Sequence, residues 1–200
     1  MHIYYAYLQR QGEAIPQAQL ALEMDPLNPL VQILYSTTQL FINWCEADRT
    51  QIEKLLADDP NNYGANVIFN YLSSLCEEYE TALMTERILL QTILAGQFDE
   101  KAWKEIETIF KEKGYHAAFE KIVPIYEDLY SPNTLPMDLA IAYMKANQYD
   151  KVMDMVEQGY EIRDHTMPYL TTAYDFEPLY DNPRFLVILE KVNLSLPKSN

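Results

Sequence analysis

The sequence predicts an all-α chain built from antiparallel helix pairs, and three observations lead there. The dipeptide Asp25-Pro26 returns as Asp59-Pro60, a step of 34 residues. A fixed period of that size marks stacked helix–turn–helix units. Ala14, Ala18 and Ala21 recur at four- and three-residue steps, so they share one helix face where a neighbouring helix can approach closely. Glycine is scarce, at 5 of 200 residues, while tyrosine reaches 16, a composition that suits packed helices better than a turn-rich sheet.

The elements follow in order. His2 to Arg10, with Tyr4, Tyr5 and Tyr7, reads as the end of a first helix. Gln9 to Gly12 turn the chain, and Glu13 to Met24 form the second helix of that pair. Asp25-Pro26 stops it, because proline cannot continue a helix and biases the residue before it away from helical geometry. Asn28-Pro29 restarts the chain as N-cap and first helical residue. Leu30, Ile33, Leu34, Leu40, Phe41 and Trp44 give that helix a broad apolar surface to about Cys45. Asp48 opens the next helix, with Ile52, Leu55 and Leu56 as its stripe, up to Pro60. Asn61 or Asn62 caps a helix carrying Val67, Ile68, Tyr71, Leu72 and Leu75, and Glu77 to about Leu94 is its partner.

Gly96 then breaks the pattern. Asp99 caps a helix with Trp103, Ile106, Ile109 and Phe110, which Lys113-Gly114 ends. Tyr115 to Tyr130 follows, with Pro124 inside it as an expected kink. Ser131-Pro132-Asn133 loop, Thr134 caps the next helix, and Tyr149 to Ile162 is its antiparallel mate. Residues 1–163 are thus expected to form the array, and residues 164–200 a proline-rich, irregular tail packed on the same domain. Within that tail, Asn182-Pro183 starts a short helix to Val192. It is expected to cover the open apolar end of the stack, since a terminal repeat has no neighbour.

The formal net charge is −15. Such a surface repels phosphate backbones, so direct nucleic-acid binding is not expected. No run reaches the ~18 apolar residues of a membrane span, and the opening MHIYYAYLQR lacks the basic and apolar regions of a secretory signal. Cys45 and Cys76 show no metal-ligand spacing, and both fall in helical, partly apolar contexts. Buried unpaired thiols are therefore expected, and with them a reducing, cytoplasmic compartment. There is no glycine-rich phosphate loop, HExxH or GxSxG motif, so no catalytic residue, metal or cofactor is expected. The acidic pairs Asp58-Asp59 and Glu77-Glu78 are accounted for by helix-end charge.

Anchored on Pro26, the pattern of Tyr5, Ala14, Ala18 and Ala21 resembles the tetratricopeptide repeat, and Leu139, Ala140, Tyr143 and Gly159 fill matching roles in the last unit. The middle units keep Pro60, Leu55 and Ala82, while Asp48 stands where that family favours alanine. The segment 135–164, followed by DFEPLYDNPRF, resembles the closing region of bacterial signalling proteins that carry such repeats behind winged-helix or nucleotide-cyclase domains. Glu161, Arg163 and Asp164 make the helix terminus of that match, and Asp175, Phe176, Pro178, Asn182, Pro183 and Phe185 its tail. The resemblance implies a right-handed superhelix of about five helix pairs, the first incomplete, in a piece of a longer regulator.

It also implies a concave groove lined by the first helix of each pair. Carried over position by position, the groove takes Ile33, Thr37, Leu40 and Phe41, then Val67, Tyr71 and Ser74, then Met137, Ile141 and Met144, with Tyr4 and Tyr7 near its entrance. Aromatic, threonine and serine side chains there suit an extended peptide or a small apolar ligand. The expected function is non-catalytic: a protein-interaction or regulatory domain. A small-molecule or peptide sensor of a transcriptional regulator, and a homodimerisation module, are the alternatives.

Overall fold

Asp25 to Asn28 and Asp59 to Asn62 are the same turn built twice. In a computed structural model that describes residues 11–130, 136–171 and 174–196, the backbone N–H of Asn28 donates to the Asp25 carbonyl at 3.3 Å, and that of Asn62 to the Asp59 carbonyl at 3.0 Å. One turn into the following helix, an amide side chain reaches back to the proline. Gln32 Nε2 donates to the Pro26 carbonyl at 2.7 Å, and Asn66 Nδ2 to the Pro60 carbonyl at 2.9 Å. The carbonyls of Asp25 and Pro26, and of Asp59 and Pro60, which the helix ladders do not serve, thereby gain partners. The 34-residue period read from Asp-Pro is therefore also a period in hydrogen bonding.

The chain is all-α, with no strand among the described residues. It divides into two units, residues 1–98 and 99–200. The first holds α1 (Gln11–Met24), α2 (Pro29–Asn43), α3 (Thr50–Asp58), α4 (Tyr63–Leu75) and α5 (Tyr79–Ile93). Each packs on the next, and α2 also packs on α4, so successive pairs are stacked. The second unit holds α6 (Glu100–Lys113), α7 (Tyr115–Leu129), α8 (Pro136–Lys145), α9 (Tyr149–Ile162) and α10 (Pro183–Lys191). There too consecutive helices pack together, and a 3-10 segment, Tyr174–Leu179, lies against α8.

Caps fall where polar residues precede the helices. Asn62 accepts from the Ala65 N–H, Asp99 from those of Lys101 and Ala102, and Asn182 from that of Arg184. Asp48 does not open the helix as expected: its Oδ1 accepts from the Thr50 N–H at 3.0 Å, Arg49 takes the N-cap position, and the helix starts two residues later at Thr50. Glu77 does not open α5 as expected. It takes a left-handed φ of 59°, and the Glu78 N–H closes on the Ser73 carbonyl at 2.8 Å. Asn147 makes the same turn before α9, with φ 56° and Gln148 N–H on the Tyr143 carbonyl at 2.9 Å. The helix expected from Tyr115 runs through Pro124 to Leu129.

Close helix contact rests on small side chains. Ala14, Ala65, Ala82, Ala118 and Ala140 are wholly buried, and Ala18 nearly so. Ile52, Leu55 and Ala65 form a core cluster against which Ile33, Leu56, Ile68 and Phe69 pack. In the second unit Phe119, Ile122, Val152, Met153 and Val156 fill the interior. The last helix covers α9 with Phe185, Ile188 and Leu189, and Phe176 stacks on Phe185 at 6.0 Å between centroids.

The thiols are a correction. Cys45 and Cys76 are joined as a disulfide, with Cα atoms 5.5 Å apart, and neither is buried. Each lies in the turn that ends the first helix of a pair, Cys45 after α2 and Cys76 after α4. Stacking α2 on α4 brings these turns within bonding reach, which spacing along the chain did not reveal. The support that unpaired cysteines lent to a reducing compartment is withdrawn. Among the described residues no helix is long and apolar enough to cross a membrane.

Replacing Ala14 or Ala18 by leucine should lower stability by about 1–3 kcal/mol, since added methylenes at a sealed contact force neighbours apart. An unchanged thermal midpoint would contradict the close packing. Serine at both Cys45 and Cys76 should cost about 2–4 kcal/mol through the lost loop constraint, read in urea titrations with and without reductant. Reductant should then leave the double variant unaffected.

Candidate functional site

The residues carried over to a groove fall in both units, and each unit presents its own set. In the first, Thr37 is buried and its hydroxyl donates to the Ile33 carbonyl one turn back at 2.8 Å. Ile33 is half-buried and packs against the Ile52–Leu55–Ala65 cluster. Its Cδ1 comes so close to Gly64 that a Cβ there would lie 2.9 Å away, which explains glycine at that point of α4. Leu40 is buried, Val67 is exposed, and Tyr71 and Ser74 are half-buried. Val67, Tyr71 and Ser74 follow one another at helical steps along α4. Tyr4 and Tyr7 lie outside the described residues, as does the side chain of Phe41. The Ser131–Asn133 loop and the cap expected at Thr134 lie outside them too.

In the second unit Met137 and Met144 are buried and Ile141 is half-buried on α8. Gly159 of α9 admits two of the methionines: a Cβ at that glycine would stand 3.1 Å from Met167 Sδ and 3.6 Å from Met137 Sδ. Beside them Asp164 is buried after the left-handed Arg163. Its Oδ1 accepts from the Thr166 N–H and hydroxyl at 2.9 and 2.7 Å. His165 Nδ1 lies 3.8 Å from the same oxygen. Asp138 has its carboxyl pushed up from the ordinary value, first by loss of water and then by the Asp164 charge.

Sequence reasoning missed a cleft of roughly 440 Å³ between α9 and α10. Tyr160, Val187 and Ile188 give it an apolar floor, and Glu157, Glu161, Arg184 and Lys191 surround it. Arg184 is held by Glu157 Oε2 at 2.8 Å and Asp154 Oδ1 at 2.7 Å. The Lys191 ammonium stands 5.1 Å from the Tyr160 ring centre. The signal available in the sequence was Tyr160 together with Val187, apolar residues of α9 and α10 that stay exposed.

A second network ties α7, α8 and α9. Tyr143 donates to Glu127 Oε1 at 2.8 Å, and Lys151 Nζ reaches the same oxygen at 3.0 Å. Burial and that carboxylate push the Tyr143 phenol up. The hydrogen bond from Lys151, then that from Tyr143, hold Glu127 below its ordinary range. These bonds tie the three helices to one another. His116 Nδ1 lies 2.9 Å from the Lys145 carbonyl, which links α7 to α8. No cluster of three or more histidine, cysteine or acidic side chains suited to a metal occurs among the described residues.

No protein-family model, curated protein or solved structure matches this chain. The arrangement of its own side chains is what any reading of its function has to stand on.

The Glu127 network carries a pH signature. Because the folded carboxyl titrates below its ordinary value of 4.5, its contribution is present above that pH and is lost as pH falls through the lowered folded value. Glu127→Gln should therefore lower the melting temperature at neutral pH, modestly and less in high salt, since the pair is partly exposed. The difference from the parent should shrink on acidification below 4.5, and a gap independent of pH would assign the effect to packing instead.

Proposed function

We propose that the chain is a non-catalytic interaction and regulatory domain of the tetratricopeptide type, belonging to a larger bacterial signalling or transcription-regulating protein. It binds a peptide or protein segment along the first-helix faces. One observation carries the reading: the link between helix pairs recurs at a 34-residue offset in backbone turn, cap and side-chain bond together, with Gln32 on Pro26 and Asn66 on Pro60. A repeat kept at that level of detail is what a stacked array requires, because each unit is stable only against its neighbour. In this reading the pairs within each unit stack with the right-handed sense of that family. Val67, Tyr71 and Ser74 present a mixed apolar and hydroxyl face to the ligand. Main-chain groups of an extended peptide would meet the Ser74 hydroxyl, and its side chains would bury against Val67 and the Tyr71 ring.

Panning a random peptide library displayed on phage against the chain tests this. Recovered peptides should lose about tenfold or more in affinity on Val67→Glu or Tyr71→Ala, as for anchors of a small interface. Val67 is exposed, so its replacement should leave the fold intact. Peptides indifferent to both changes would remove the groove reading.

A further inference from the structure

Around the first link the chain shows a cluster of exposed apolar side chains. Met24, Leu27 and Leu30 are 78, 79 and 61% exposed, the highest values for large apolar side chains among the described residues. Leu20, half exposed, lies one turn before Met24 on the same face of α1. Scattered exposed leucines are ordinary, but these four fall within eleven residues around a single turn.

That turn is held rigidly. Asn28 Nδ2 donates to Asp25 Oδ2 at 2.8 Å, the Leu30 N–H to Asn28 Oδ1 at 3.0 Å, and Gln32 to the Pro26 carbonyl at 2.7 Å. Leu27 and Leu30 are therefore presented on a backbone that loses little freedom when something docks.

The charges nearest them along the chain have one sign. Between Arg10 and Arg49 the sequence holds no lysine, arginine or histidine, while Glu13, Glu23, Asp25, Glu46 and Asp48 are acidic. Glu23 and Asp25, both exposed, flank the apolar residues directly. A second copy would bring acid against acid, and an anionic bilayer would be repelled as well.

We infer that the α1–α2 link, through Leu20, Met24, Leu27 and Leu30, docks a basic amphipathic helix of a protein partner. The partner's apolar stripe covers the four side chains, and its lysines or arginines face Glu23 and Asp25. Leu30 lies one turn before Ile33 on α2, so this surface meets the start of that helix's face, while Val67, Tyr71 and Ser74 on α4 are not part of it.

The test uses a synthetic amphipathic helix of leucine and lysine, with a scrambled peptide of the same composition as control. Titration calorimetry should show binding of the ordered peptide that weakens as salt rises. The double substitution Met24→Asn and Leu27→Asn should weaken it by about tenfold or more. Both side chains point into solvent, so the thermal midpoint should not move, and a Val67→Glu variant should bind as the parent does. Equal binding of the scrambled peptide, or of the double variant, would overturn the proposal by reducing the effect to net charge. Sedimentation showing a dimer that the double substitution dissociates would overturn it in favour of self-association.

Discussion

Between successive helix pairs the chain has four residues in which to stop, turn and start again, and the polar backbone groups in that turn have no helix to bond with. The answer at 25–28 and again at 59–62 is the same. A proline stops the helix, an asparagine caps the next, and an amide one turn further on takes the proline's carbonyl. Putting an amide there has a consequence for the interior. The same offset pairs Ser36 with Asn70 and Gln39 with Ser73, all buried, so the inner face of α2 and that of α4 each carry a polar stripe. Asn70 uses it to bond the Ala82 carbonyl and Thr85 hydroxyl of α5 at 2.7 and 3.1 Å. Pairing in this unit is thus set by directional bonds as well as by apolar contact, which restricts the register in which the helices can lie.

The second unit solves the same stacking problem with apolar and aromatic groups. Phe119, Met153 and Phe185 fill space where the first unit places amides and hydroxyls. Its helices are closed by left-handed residues at Asn147, Arg163 and Asn193. Its surface carries polar ties as well, in the Glu127–Lys151 and Arg184–Glu157 pairs.

Much of the helix inventory was legible because its signals are local. Proline stops, asparagine and aspartate caps and four-residue apolar steps each act within a turn or two. Asp99 and Asn182 do what their positions announce. What was not legible depends on distance in space. Cys45 and Cys76 look like two helical cysteines until α2 and α4 are stacked. Glu77 reads as a helix starter because acids favour that place, yet the hairpin needs a left-handed residue there and backbone geometry outweighs dipole preference. The groove positions were carried over from the family resemblance, which places them by spacing along each helix. Spacing alone does not separate Ile33, which packs on the α3–α4 cluster, from Val67, which reaches solvent.

The bond between Cys45 and Cys76 turns part of the first unit into a closed covalent ring. Its two ends are 31 residues apart in sequence, and the segment between them contains α3, the second proline link and α4 whole. A backbone cut inside that segment opens the ring without releasing either part, whereas a cut in α1 or α5 has no such tether. The region where one helix pair passes to the next is therefore joined twice, once through the peptide chain and once across it.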